Sequence, residues 1–369
     1  MLGQRRNAQT VVIIGLGDTG VLVASRLVKQ FKVIGITTKP NLVSGQELGK
    51  RLTDLPWWRV HYNTPLKRFL GLSAVEIIQA KAEWVNPEQR SVRIRLPDGL
   101  DSIIHYDYLV IASGTSNGFW RDDSIRSQKE IDDALQEDAA RIEAAKTIAV
   151  VGGGPCGVSC ALNIRRSDPS KQVTLYFSGD QPLAGYHPTA QAYYDKILKD
   201  AGVTLQSNDR AIVPSVIPDS GLINFESGAS AEAETILWTV GRRKPHTQFL
   251  PTELLDAEGF VKTQPTLEVE GSDTIFAIGD VASTDRDRSS AYGVLVNNIK
   301  RKAAGKRMNQ FYRPPPNRWG SIVGPQADGL TLHQHTGKRV RLSRWLVDNI
   351  LLPTVVQRMI YRGVDRSVD

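Results

Sequence analysis

The stretch TVVIIGLGDTGVLVASRLV, from Thr10 to Val28, decides how this chain folds. Val11, Val12, Ile13 and Ile14 form a continuous apolar run, the pattern of a strand buried on both faces. Gly15, Gly17 and Gly20 follow in G-x-G-x-x-G spacing, with Asp18 and Thr19 between them. Val21, Leu22, Ala24, Leu27 and Val28 then repeat at helical intervals. In the order strand, turn, helix, each glycine has a physical task. The first permits a tight turn, the second lets backbone approach a pyrophosphate, and the third lets helix and strand pack closely. The helix N-terminus adds unpaired N–H groups and about half a positive charge, which suit a phosphate pair. Three glycines alone fit any strand-turn-helix; the flanking apolar pattern sharpens the reading.

The unit recurs. Thr147 to Val151 is an apolar strand, and Gly152, Gly154 and Gly157 repeat the spacing 137 residues after the first copy, with Pro155 and Cys156 inside it. Ala161, Leu162 and Ile164 continue as a helix, and Val173 to Phe177 reads as the next strand. Two complete units in one chain argue for two bound dinucleotides. Such sites usually carry an acid for the ribose at the end of the second strand. Here the first unit has Thr37, then Thr38 and Lys39, at the end of a strand from Lys32, and the second has Phe177 and Ser178. No carboxylate favours NAD and no adjacent Arg takes a 2′-phosphate, so the sequence is silent between NADH and NADPH.

Between and after these units the chain reads as further strands and helices. Leu72 to Arg95 is strand-forming, with Ala82 in it, and Asp98-Gly99 closes a hairpin. Tyr106 to Gly114 is a buried strand ending in the small residues Ala112, Ser113 and Gly114, where a ligand can approach backbone. Ile131 to Ala145 is an amphipathic helix, and Gln191 to Ala201 another. Thr235 to Val240 is a strand that runs into Gly241-Arg242-Arg243-Lys244, either a solvated turn or a phosphate-attracting exit. Thr274 to Asp280 is a buried strand delivering Gly279 and a carboxylate to a ligand, where Asp280 suits ribityl hydroxyls. The helix from Ser290 to Ala304, which includes Tyr292, would point its N-terminus at the same ligand. Trp57 and Trp58 either stack on a flat ring or bury area.

With 369 residues the chain is long enough for two domains and an appendage, at about 150 residues each. Cys156 and Cys160, four apart in one helix, form neither a disulfide framework nor a four-ligand zinc site, and read as packed thiols in a reducing compartment. Met1 to Gln9 is polar, unlike a secretory signal, and no run of about 18 uncharged apolar residues exists. From Lys300 to Asp369 there are 14 Lys and Arg against 4 Asp, a net of +10; with +7 for the whole chain, the remainder is at −3. A basic tail of this kind meets nucleic acid or an anionic membrane surface. In it Pro314-Pro315-Pro316 marks a stiff connector, and Leu330 to His333 pairs with Val340 to Leu342 around Thr336-Gly337. His333 and His335 would share one strand face, without enough ligands for a metal. An apolar run, Trp345 to Tyr361, is flanked by Arg341, Arg344, Arg358 and Arg362. It lies in a membrane interface or docks on its own protein or a dimer mate.

Four motifs in order resemble the pyridine nucleotide-disulfide oxidoreductase superfamily: Gly15 to Gly20, Tyr106 to Gly114, Gly152 to Gly157, and Thr274 to Asp280. The segment from Ala291-Tyr292-Gly293 to Asn298-Ile299 is similar to the apoptosis-inducing-factor-like branch, with the ferroptosis suppressors and type II NADH dehydrogenases. The resemblance implies an α/β fold with two Rossmann-like dinucleotide-binding domains of glutathione-reductase type, the second inserted in the first, plus a small C-terminal α+β region. The expected partition is 1–115 and 243–305 for FAD, 116–242 for NAD(P)H, and 306–369 for an interface or membrane-associating region. It implies FAD at Gly15, Gly17, Asp18, Thr19, Gly20, Thr37, Lys39, Ala82, Ser113, Gly114, Gly279, Asp280 and Tyr292. It implies NADH or NADPH at Gly152, Gly154, Pro155, Cys156, Gly157, Ser159 and Gly241. The redox-active cysteine pair of the disulfide reductases is missing, so electrons would leave for a small-molecule acceptor, a quinone above all. No acid–base side chain is required for hydride transfer, and no nucleic acid or metal is expected. The protein would be cytoplasmic, with peripheral contact to the cytoplasmic membrane face through its basic tail, and a homodimer is the further partner expected. Many relatives carry a glutamate two residues after the third glycine, where this chain has Ser159. The alternatives are therefore a flavin monooxygenase or oxidase, and a flavoprotein binding partner that no longer uses NAD(P)H.

Overall fold

The computed structural model describes residues 9–116, 122–240, 244–284 and 291–365. The positions of Gly241, Arg242 and Arg243 lie outside them. Both glycine-bearing strands stand inside parallel sheets. The first sheet runs Ile275–Ala277, Tyr108–Ile111, Thr10–Ile14, Lys32–Thr37, Glu76–Gln79, every neighbouring pair parallel. The second runs Thr204–Gln206, Gln172–Tyr176, Thr147–Val151, Thr235–Trp238, again parallel throughout. Strands covered on both faces need side chains without polar groups, and Val11 to Ile14 and Ile148 to Val151 supply them; all are buried. In each sheet the glycine strand has the next strand on one side and a much later one on the other. That reversal opens a crevice at the strands' C-terminal ends, where both glycine turns lie.

The first glycine helix spans Asp18–Leu27 and the second Pro155–Ser167. A three-stranded antiparallel meander, Lys81–Asn86, Ser91–Arg95 and Asp101–His105, adjoins the first sheet, and Gly99 supplies the positive φ of its second turn. The amphipathic helix begins at Gln128, earlier than its apolar periodicity indicates, and ends at Ala144. Ser127 and Glu130 form a capping box there: the Glu130 amide donates to Ser127 Oγ at 3.3 Å, and the Ser127 amide to Glu130 Oε2 at 2.7 Å. These bonds satisfy two amides the first turn leaves open.

The C-terminal hairpin pairs Leu330–His333 with Arg339–Leu342. His335 lies past the strand end and is exposed, while His333 is buried between the rings of Tyr193 and Tyr194, so the two histidines do not share a strand face. The apolar run becomes a wide π-type helix, Val347–Ile360, that contains Pro353, a residue with no amide to donate. It docks on its own chain. Arg26 Nη2 donates to the Ile360 carbonyl at 2.9 Å, Arg362 Nη1 to the Ser25 carbonyl at 2.7 Å, and Tyr361 packs edge-on to Phe69. Of the flanking arginines, Arg341 pairs with Asp328 and Arg344 with Asp348, while Arg358 is exposed. Trp58 is fully buried, with its indole N–H on the Gln46 carbonyl, so its ring serves packing. Among the described residues no helix is long and apolar enough to cross a membrane.

Candidate functional site

A cavity of about 360 Å³ opens at the C-terminal edge of the first sheet. Its wall brings together Gly15, Gly17, Asp18, Thr19, Thr37, Lys39, Ala82, Ser113, Gly114, Gly279 and Asp280, which the chain spreads over more than 260 residues. The glycines divide the work as their spacing requires. Gly15 has φ +98, and a Cβ there would overlap the Ala112 carbonyl of the neighbouring strand. A Cβ on Gly20 would overlap the Gly15 carbonyl. Gly17 alone of the three faces open space, with nothing within 4 Å of a built Cβ. Two glycines therefore seal the turn, and the third leaves a gap in front of a helix N-terminus, the cradle a pyrophosphate fills. Asp280 stands in the same cavity, next to Gly279 at φ +84. The residues present fit an FAD.

Two expected members stand elsewhere. Gly20 is behind the cavity wall, and the Tyr292 ring lies under the Arg26 guanidinium at 4.3 Å. At the far end of the cavity the Thr37 hydroxyl is engaged locally, donating to the Lys39 carbonyl at 3.1 Å and accepting from the Lys39 amide at 3.3 Å. Carboxylates reach this end from another part of the chain. Asp122 and Asp123 line the cavity; Lys39 Nζ bonds the Asp122 carbonyl at 3.0 Å, and Lys81 pairs with Asp123 at 2.9 Å. Burial lowers the Lys39 pKa, and Asp122 opposes that shift. His246 also enters the wall, its ring nitrogens facing the Ser113 carbonyl at 3.1 Å and Ser116 Oγ at 2.7 Å. Nothing local marks His246 or Asp122 as part of this wall, because the contacts that bring them there, with Ser116 and with Lys39, span 130 and 83 residues.

The second turn repeats the first. Gly152 has φ +124 and packs on Thr239 and Val240, and a Cβ on Gly157 would overlap the Gly152 carbonyl. Gly154 faces open space. Pro155 starts the helix, where its missing amide costs nothing. Cys156 is half-buried and Cys160 buried. The Cys156 hydrogen bond and burial push the Cys160 thiol well above its ordinary value, as in an inert packed cysteine. Ser159 is 2% exposed, and its hydroxyl accepts from the Gly49 amide at 3.3 Å. Its short side chain joins two helices and does not face the opening at Gly154.

That bond belongs to a segment linking the two glycine helices. Ser44 Oγ donates to Asp18 Oδ1 at 2.7 Å and the Gly45 amide to Asp18 Oδ2 at 3.2 Å. The short helix Leu48–Thr53 then packs on the second glycine helix, so closely that a Cβ on Gly49 would overlap the Ser159 carbonyl. Between these anchors sits Glu47. Burial raises its carboxyl pKa to about 7, while a hydrogen bond from Ser321 and the charge of Lys50 pull it back. An acid with a raised folded pKa contributes fully below its unfolded value, and that contribution is lost as pH rises through the folded one. Glu47→Gln, which never ionises, is therefore expected to gain on the wild type between about pH 4.5 and pH 8, by on the order of 1–3 kcal/mol. Urea unfolding at the two pH values reads the difference; an unchanged gap between the two proteins would contradict it.

Residues 5–301 match the family model described as pyridine nucleotide-disulphide oxidoreductase. The chain is 32% identical to oxidoreductase ptaL of Pestalotiopsis fici, over 74% of this chain and 72% of that one. It is 26% identical to apoptosis-inducing factor homolog A of Dictyostelium discoideum, over 93% and 89%, and 25% identical to ferroptosis suppressor protein 1 of Mus musculus, over 63% and 65%. Among solved structures it is similar in fold to NDH2 from Plasmodium falciparum in complex with NADH, at a TM-score of 0.60 and 17% identity, covering 75% of this chain and 64% of that one.

Proposed function

Because the chain belongs to the pyridine nucleotide-disulphide oxidoreductase family, whose cofactors are FAD and NAD(P)H, we propose that it passes electrons from NAD(P)H through FAD to a quinone-like acceptor. The observation that carries this reading is the pair of cradles: of the six fingerprint glycines, only Gly17 and Gly154 face open space. In this reading the unit 1–115 and 243–305 holds FAD, the unit 116–242 holds the nicotinamide cofactor, and 306–369 serves the acceptor side. Bound FAD supplies the chemistry of accepting a hydride and releasing electrons to a second substrate. The protein's own residues bind and orient. Backbone at Gly15 to Gly20 takes the FAD phosphates, Asp280 the ribityl hydroxyls, and Lys39 with Asp122 the adenosine end. Gly152 to Gly157 takes the nicotinamide cofactor's phosphates. The free cysteines of the described residues, Cys156 and Cys160, lie in the second glycine helix and not in the first cavity, so electrons leave without a disulfide.

A quinone is favoured as acceptor by the relatives, which include a ferroptosis suppressor and an NDH2 fold neighbour. It is also favoured by the apolar side chains the tail shows to solvent: Trp345 is 66% exposed and Met359 65%. Such a face suits contact with the phase that dissolves a quinone. Turnover of the flavoprotein with NADH or NADPH, with and without a soluble short-chain ubiquinone, tests the reading. Nicotinamide oxidation is expected to rise with the quinone and to match hydroquinone formed. Peroxide formation with no gain from quinone would instead mark an oxidase or monooxygenase.

A further inference from the structure

The chain passes from the first parallel sheet to the second after Tyr108–Ile111 and returns after Thr235–Trp238. The two passages run side by side. Thr115–Ser116 on the outward passage and Lys244–Pro245 on the return pair antiparallel, as a ribbon two residues long. A two-stranded ribbon is marginal by itself, so one this short needs support from outside its own ladder.

His246, the next residue after the ribbon, supplies that support. Its amide donates to the Gly114 carbonyl at 3.0 Å, and its carbonyl accepts from Ser113 Oγ at 2.7 Å. Its ring reaches the outward passage twice more, Nδ1 at 3.1 Å from the Ser113 carbonyl and Nε2 at 2.7 Å from Ser116 Oγ. A carbonyl only accepts, so Nδ1 carries the proton; in the neutral ring Nε2 is then an acceptor, and the Ser116 hydroxyl donates to it. These four hydrogen bonds fasten the return passage to the outward one, around a side chain that is buried. Elsewhere the two glycine units meet where the Gly49 amide donates to Ser159 Oγ at 3.3 Å, between the helices Leu48–Thr53 and Pro155–Ser167. Joined at one place, two bodies rock about it. The ribbon is a further tie, and its stiffness sets how far they rock.

Resting on the function proposed above, we infer that His246 is a positioning residue for hydride transfer: by fastening the ribbon through Ser113 and Ser116 it fixes the angle of the second unit to the first. That angle decides where a nicotinamide held at Gly152 to Gly157 stands against a flavin held at Gly15 to Gly20. His246 and Ser116 contribute no atom to the hydride step; they govern approach. Reacting atoms have to stand about 3–3.5 Å apart, and a misplacement of about 1 Å costs up to about a hundredfold in rate. Each pyrophosphate is held within one unit, so the angle acts on the rate and not on the affinity of either cradle.

The test is anaerobic rapid mixing of the FAD-bound protein with NADH or NADPH, followed by flavin absorbance. Ser116→Ala removes the donor to Nε2 at a half-buried position outside the cavity wall. His246→Asn keeps an N–H for the Ser113 carbonyl and gives up the reach to Ser116. Each is expected to retain FAD and to lower the limiting rate of flavin reduction about tenfold to a hundredfold. The dissociation constant of the nucleotide, read from the same traces, is expected to stay unchanged. The long-wavelength charge-transfer absorption, which requires the nicotinamide and flavin rings to overlap, is expected to weaken in step. The two substitutions together should cost no more than either alone, because both break one hydrogen bond. His246→Gln, whose amide oxygen reaches the Nε2 position, should recover part of the rate. A wild-type limiting rate and charge-transfer band in both Ser116→Ala and His246→Asn, a loss confined to nucleotide affinity, or loss of FAD from both overturns the inference and leaves the function standing. A wild-type flavin that neither nucleotide bleaches overturns the function, and the inference with it.

Discussion

Gly17→Val is expected to give a folded protein that does not hold FAD. The substitution is tolerated by the chain itself: Gly17 has φ −77 and ψ −166, extended backbone that suits valine, and a Cβ there meets no protein atom within 4 Å. Losing glycine at the helix N-cap costs about 1 kcal/mol at most. The new methyls occupy the gap in front of the helix N-terminus, where the phosphates have to stand. Displacing them breaks at least two hydrogen bonds to charged oxygens, worth about 1.5–3 kcal/mol each, so the FAD affinity is expected to fall at least about a hundredfold. Flavin fluorescence quenching measures the affinity and urea unfolding of the apoprotein measures the fold. Gly20→Val is the contrast, because its side chain would overlap the Gly15 carbonyl and disturb the turn itself. Retention of FAD by a folded Gly17→Val protein would exclude the cradle as the cofactor site.

Gly154→Val is expected to separate the two nucleotides. Gly154 is also extended, with φ −74 and ψ 179, and its built Cβ also meets nothing. The variant should purify with FAD and the wild-type fold, because the first cavity is untouched. Its dissociation constant for NADH or NADPH should rise about a hundredfold on the same count of phosphate hydrogen bonds. The KM for the nicotinamide cofactor follows it, while the rate with an artificial reductant such as dithionite is unchanged. Loss of FAD together with the nicotinamide, in a protein that still folds, would mean that the second turn serves the first cavity.

Both glycine units were legible because each is local: strand, turn and helix fall within about thirty residues, and the spacing carries the geometry. The parallel sheets followed from that repetition, since a buried central strand must be apolar throughout. The rest of the site was hidden in distance. Asp122 supplies a carboxylate near the place where Thr37 lacks one, yet 83 residues separate it from Lys39. His246 has no motif, and it reaches Ser116 over 130 residues. Glu47 sits in a polar stretch without periodicity, and its burial comes from Ser321 and Gly324 of the tail. Ser159 stands where the sequence resemblance leads one to expect an acid; its hydroxyl is turned to Gly49, a contact that only helix packing defines. The final helix escaped the periodicity test because Pro353 and π-type winding break the usual interval.

In the proposed function one chain seats a flavin in its first cradle and a nicotinamide in its second, close enough for a hydride to cross. Anaerobic titration of the FAD-bound protein with NADH or NADPH measures this directly. The visible absorption of the oxidised flavin is expected to bleach with one equivalent of at least one of the two nucleotides. A flavin that stays oxidised under excess of both would contradict it and leave a flavoprotein without nicotinamide chemistry.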